Sequence, residues 1–182
     1  MKTKTKKHNI NTSKTWIPDG YTLEENRSLG KIEWNPENIT LWLSEKQKTS
    51  YVKGEDLLKE IKNPLTSSVL RYLLDNQELI PEKWKEKTNG YITWIYFHGT
   101  VLRDSYGGRC VLCLCWVGGW WDWRVLWLDN DWRAFDPSAV LASSPQNSES
   151  LNLPSDALSL DLHSRLQNVE QFLRNNFKGF TV

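Results

Sequence analysis

The stretch from Tyr91 to Trp132 constrains the fold more than any other part of the chain. It holds three β-rich runs, YITWIYFHG (91–99), GRCVLCLCW (108–116) and WWDWRVLWLD (120–129). They are separated by DSYGG (104–108) and VGG (117–119). Glycine-rich connections of this length between aromatic and β-branched runs specify hairpins. An antiparallel meander follows, with Thr100–Arg103 extending its first strand.

Six of the eighteen residues from Cys115 to Trp132 are tryptophan. Side chains alternate faces along a strand. In the third run Trp121, Trp123, Val125 and Trp127 share one face, and Asp122, Arg124, Leu126 and Leu128 share the other. Three readings of the aromatic face stay open. As core, each Trp buries ~200 Å² or more, worth roughly 5 kcal/mol at ~25 cal/mol/Å². As an exposed platform, Trp121, Trp123 and Trp127 stack a base or sugar ring, with Arg124 adding a cationic contact. As an interface patch, tryptophan serves as a hot spot. Trp120 and Trp132, near turns, are expected to stay partly exposed.

Upstream, NITLWLS (38–44) reads as a short strand, KGEDLLKEIKN (53–63) as a helix stopped by Pro64, and TSSVLRYLLDN (66–76) as a second helix with a Ser/Thr cap. LIPEKW (79–84) reads as a helical turn with Pro81 at its first position. Trp16, Ile17 and Tyr21 belong to an irregular segment expected to drape onto the body. Downstream, DPSAVLAS (136–143) reads as a short helix capped by Asp136. The expected organisation is a disordered basic tail over 1–15, an α+β domain over 16–143, a polar linker over 144–155 and a C-terminal amphipathic helix over 156–182. Leu158, Leu162, Leu166, Val169 and Leu173 form that helix's apolar stripe. The fold class expected is therefore α+β: a three- to four-stranded antiparallel meander packed with short helices, plus the amphipathic helix.

Charge bounds the function. The 182-residue chain has a formal net charge of +1, yet residues 1–15 carry five lysines and no acid. A basic tail on a mildly acidic body is not the footprint of a strongly basic nucleic-acid-binding domain. The tail has no apolar core of a signal peptide, and the longest apolar run, Val111–Val117, is too short for a membrane helix. A cytoplasmic location without membrane attachment is expected, and Cys110, Cys113 and Cys115 fit it as buried reduced thiols.

No catalytic motif emerges. Asp129, Asp131 and Asp136 match no calcium-loop spacing, and Arg133 between them opposes a cation. The cysteines lack a second Cys/His pair for zinc, and a Cys–His nucleophile using His98 has no supporting local context. Neither a phosphate-binding loop nor a dinucleotide fingerprint is present. No enzyme activity, metal or cofactor is expected.

Four segments in order, LLDNQELIPEKWK, FHGTVLRDSYGG, WVGGWWDWRVLWLDNDW and FDPSAVLAS, resemble a widespread set of short bacterial proteins of unassigned function. These share a Leu-Ile-Pro-Glu-x-Trp turn and a Trp-rich meander ending in Trp-Leu-Asp-x-x-Trp. The resemblance spans about residues 32–143 and implies a shared fold, with no activity attached. His98 stands where that set commonly has an aromatic residue.

The function expected is a non-catalytic protein-interaction module with an aromatic-rich sheet, which binds another protein or self-associates through the C-terminal helix. The alternative is a nucleic-acid binder using the Trp platform, with candidate residues Trp121, Trp123, Trp127, Arg124, Trp120 and Trp132, and the lysine tail.

Overall fold

The computed structural model describes residues 7–142. Contacts divide the chain into Met1–Ser143 and Ser144–Val182. The second unit, with the linker and amphipathic helix expected there, lies outside the described residues.

The described residues contain eleven strands: β1 (Asn9–Asn11), β2 (Thr22–Asn26), β3 (Lys31–Glu33), β4 (Ile39–Trp42), β5 (Val52–Lys53), β6 (Ile95–Tyr96), β7 (Thr100–Arg103), β8 (Arg109–Val117), β9 (Trp120–Trp127), β10 (Asp131–Trp132) and β11 (Ser138–Leu141). Three α-helices accompany them, α1 (Glu45–Thr49), α2 (Gly54–Glu60) and α3 (Ser67–Asp75).

The expected three- to four-stranded antiparallel meander is too small. Seven strands form one curled, mixed sheet, hydrogen-bonded in the order β2-β7-β8-β6-β11-β4, with β9 also on β8. The meander survives inside it as β7-β8-β9. Three recruits escape the hairpin signal. β2 comes from a polar segment and pairs with β7 antiparallel. β4, the strand expected over 38–44, pairs with β11. β11 itself replaces the helix expected over 136–143: it runs antiparallel to β4 and parallel to β6, and Ser138, Ala139 and Val140 are buried. The Asp-Pro start reads locally as a helix cap, but burial between two strands decides the outcome.

β8 is the spine. Cys110, Leu112 and Leu114 face one core, and Val111 and Cys113 face the other. Two-sided burial explains why this run shows no clean polar–apolar alternation. β9 lines one edge of β8 over eight pairs. The turn between them uses Gly118 and Gly119 at φ 63° and 92°, the left-handed pair a tight hairpin requires. β6 and β7 share the other edge but are out of register. Tyr96 to Leu102 takes six residue steps, whereas their partners Cys113 to Cys110 take three. The surplus residues are His98, Gly99 and Thr100, so Thr100–Arg103 continues the first strand only after an excursion.

That excursion is pinned to the helical layer. Gly99 donates its N–H to the Leu65 carbonyl, which would lie 2.7 Å from any Cβ at position 99. Only glycine permits this approach. Thr100 Oγ1 accepts the Ser67 N–H at the start of α3, at 3.0 Å. Thr66 holds the expected cap position, but its hydroxyl bonds Ser68 Oγ instead. α3 sends Val69, Leu70 and Leu73 into the first core. The helix expected over 53–63 is α2, which sends Leu57 and Leu58 into the second. Pro81 precedes a 3-10 turn, Glu82–Lys85, rather than opening it, and Trp84 of that turn is buried.

The basic tail is ordered where it is described. Its polar composition predicted disorder through residue 15. Instead Ile10 and Thr12 are buried, and β1 pairs with β3. Thr12 is fixed by Gly30 O, Ser28 Oγ and the Leu29 N–H. One isoleucine in a polar run suffices when a neighbouring strand supplies the backbone partners.

Candidate binding surface

The aromatic face of β9 is closed along most of its length. Trp121 is only 5% exposed and packs edge-on against Trp116, centroids 5.3 Å apart. Trp123 packs edge-on against Trp16 at the same distance, and Arg71 lies 5.7 Å above the Trp16 ring. The segment expected to drape over the body does so: Trp16 and Tyr21 pack against the first core, while Ile17 stays exposed. Trp127 is 41% exposed, and its Nε1 donates to Asp104 Oδ2 at 2.7 Å. The same carboxylate accepts the Tyr106 and Gly108 N–H groups, which tie the β7–β8 turn to β9. Hydrogen bonding to the Trp127 indole, then to this backbone, holds Asp104 below the usual carboxylate range.

The proposed platform residues are thus not brought together in one open plane. Trp120, at 59% exposure, sits at the hairpin tip over Gly118. Trp132, expected to be partly exposed, is fully buried in the second core. It is drawn in because β10 pairs with β5 and packs the indole against Tyr96, centroids 4.1 Å apart.

The opposite face of β9 changes character along its length. Leu128 is buried and Leu126 half-buried, whereas Arg124 is exposed. At this end lies a groove of about 420 Å³ lined by Trp94, Tyr96, Arg124, Leu126, Phe135 and Asp136, among others. A second groove of about 300 Å³ is lined by Tyr51, Tyr91 and α1 residues. Both include Arg133 and Phe135, so the 133–136 turn forms the ridge between them. Tyr91 and Phe135 stack with centroids 5.1 Å apart.

That ridge is held from beneath. Gln47 of α1, fully buried, donates its side-chain amide to the carbonyls of Arg133 and Asp136, both at 2.8 Å. Asp136 Oδ2 accepts the Arg133 N–H at 2.9 Å. Ser44 and Gln47 cap α1 reciprocally, which fixes the amide's position. Burial pushes the Asp136 carboxyl up to about 6, against the opposing pull of the Arg133 N–H, the Arg133 charge and the Tyr96 hydroxyl. Neighbouring charges are mostly matched: Arg124 pairs with Asp122 at 2.5 Å and Lys53 with Asp131 at 2.8 Å. The Arg133 guanidinium makes no hydrogen bond or ion pair among the described residues.

Beneath the groove is a sealed polar centre. His98 Nδ1 and Ser138 Oγ lie 3.0 Å apart, both fully buried. The His98 ring lies 4.8 Å from that of Trp132. His98 Nε2 and Trp132 Nε1 have no hydrogen-bond partner among the described residues. Burial, then the Arg27 charge, lowers His98 to about 3, so the ring is neutral. A Ser–His contact with no access to solvent positions strands rather than substrate.

Burial likewise pushes Cys110 to about 12 and Cys115 to about 11, and raises Cys113 well above its ordinary range. Thiols held this firmly protonated are poor nucleophiles and poor ligands. Among the described residues no three His, Cys, Asp or Glu side chains converge as metal ligands.

Sequence reasoning missed Tyr51, Tyr91, Trp94, Arg133 and Phe135 as a set. The three segments that carry them are far apart in the chain, and tertiary contacts bring them together: the Gln47 clamp, the β5–β10 pairing, the Tyr91–Phe135 ring contact and the Trp94 N–H to Phe135 carbonyl bond, 2.8 Å. Among the described residues no helix is long and apolar enough to cross a membrane. No family model, curated relative or solved structure matches the chain.

Proposed function

We propose that the protein is a non-catalytic interaction module that binds another protein through the ridge and two grooves formed by Tyr51, Tyr91, Trp94, Phe135, Arg124 and Arg133. The observation that carries this reading is the ridge at Arg133–Asp136. A buried glutamine and a buried aspartate hold an exposed turn that displays an arginine and an aromatic ring. Tyrosine, tryptophan and arginine are the residues that dominate interface energies, and a preheld loop reduces the ordering cost of binding. This surface replaces the tryptophan face of β9 as the recognition element.

A protein partner is favoured over nucleic acid by charge. Residues 16–142 carry 15 Lys and Arg against 18 Asp and Glu, and a net acidic body repels a phosphate backbone. The three sealed, unpaired cysteines accord with a reducing, cytoplasmic setting.

The test is selection of binding peptides on the full chain, followed by Phe135→Ala and Tyr91→Ala. Both variants are expected to weaken the selected binders by roughly ten- to a hundredfold, the range of a hot-spot truncation, while the near-ultraviolet circular dichroism of the tryptophan cores stays unchanged. Binders indifferent to both substitutions would place recognition elsewhere.

A further inference from the structure

The geometry points to a partner of defined chemistry: an extended peptide segment that sets one carboxylate on the Arg133 guanidinium and an adjoining aromatic or branched apolar side chain in the groove of Trp94, Leu126 and Phe135. This inference rests on reading that surface as a protein-binding face.

The charge pattern selects the carboxylate. Around the larger groove, Arg124 is paired with Asp122 and Asp131 with Lys53. Asp136 is turned inward onto the Arg133 N–H. Among the described residues lining that groove, the Arg133 guanidinium alone has no hydrogen-bonding or ion-pair partner; its charge is felt by the inward-turned Asp136 carboxyl, and it stands on the ridge that both grooves share. A guanidinium presents a planar fork that matches a carboxylate with two parallel hydrogen bonds. Its backbone is anchored, because the Arg133 N–H and carbonyl are fixed by Asp136 and Gln47.

The same pattern limits the partner to a single acid rather than an acidic tract. Asp122, Asp131 and Asp136 lie close by, and a second carboxylate would meet them as like charges. The walls specify the neighbour. Trp94, Leu126 and Phe135 are all half-buried, leaving apolar surface that one ring or branched chain would cover. The groove volume, about 420 Å³, fits a side chain with its flanking backbone. Tyr91 and Tyr51, exposed along the second groove, continue the contact beyond the ridge.

A phage-displayed library of random linear peptides, selected on the full chain, tests this. The selected peptides should share one Asp or Glu beside an aromatic or branched residue. Replacing that acid with its amide should weaken binding to the unsubstituted protein by roughly ten- to a hundredfold, as expected for loss of a charge-assisted pair. The same replacement should change little on Arg133→Ala, because the pair is already gone. Should the acid prove dispensable while Phe135→Ala and Tyr91→Ala still abolish binding, the surface stands and the carboxylate is wrong. Binding indifferent to all three substitutions would sink the surface as well. A peptide displaced by single-stranded DNA from the unsubstituted protein but not from Arg133→Ala would assign the guanidinium to phosphate, and would also overturn the proposal.

Discussion

The two faces of β9 belong to the same eight residues and have opposite fates. One carries Trp121, Trp123 and Trp127 and is overlaid by Trp16 and packed against the first core. The other begins in the second core at its Leu126 end and opens at Arg124 into a groove. The face richest in aromatic residues is the one the protein covers with its own chain. The mixed face, which looks less distinctive in sequence, opens into a groove of about 420 Å³, against a smaller pocket of about 300 Å³ left between Trp16 and Trp123 on the aromatic side. Large apolar area is most stabilising when sealed. Recognition needs some of that area left over beside a polar group.

Removing the sealed rings should break this comparison most severely. Trp132→Ala and Trp121→Ala each delete a buried indole and should lower unfolding free energy by about 3–5 kcal/mol in urea titrations. Trp120→Ala, at the exposed hairpin tip, should stay within about 0.5 kcal/mol. Equal losses for Trp120 and Trp121 would mean that the faces are not sorted by burial.

Acidity sharpens the contrast, because His98 and Asp136, two groups whose shifts act between about pH 3 and 6.5, both lie on the groove side. His98 falls from 6.5 to about 3 on folding, so the unfolded chain takes up the proton first. Its contribution is complete above pH 6.5 and is lost as pH falls toward 3, on the order of several kcal/mol in total. Asp136 rises from 3.8 to about 6, so the folded chain binds the proton more tightly. Its contribution is present below pH 3.8 and is lost as pH rises through 6. Between pH 4 and 6 the two slopes oppose. Asp136→Asn should therefore steepen the acid loss in that window, and His98→Gln should reverse it. Identical pH profiles for all three proteins would remove both groups from the stability of this face.

Much of the meander is legible because Gly118 and Gly119, between two β-rich runs, supply the successive positive φ values that a tight hairpin turn requires. α2 and α3 were legible from apolar spacing and from Pro64. The sheet's extent was not. β11 begins with Asp136-Pro137, chemistry that caps a helix, and becomes a strand only because β4 and β6 are there to pair with it. β1 shows the same dependence, since one buried isoleucine gives no periodic signal. The candidate surface was the least legible part. Its residues come from the segments around 51, 91–96 and 124–136, and nothing in any one of them indicates the others. In the sequence Arg133 stands out only as an obstacle to a cation, although its place beside Phe135 on a clamped turn is what makes it available.

The central claim is that the tryptophan face is closed and the face bearing Arg133 and Phe135 is the one that binds. Hydroxyl-radical footprinting of the full chain, with and without a selected peptide, tests it most directly. The account expects Trp84, Trp121 and Trp132 to oxidise slowly in both states, and Tyr51, Tyr91 and Phe135 to oxidise readily alone and to be protected by the peptide. Rapid oxidation of Trp121 and Trp123, with protection falling on them instead, would contradict it.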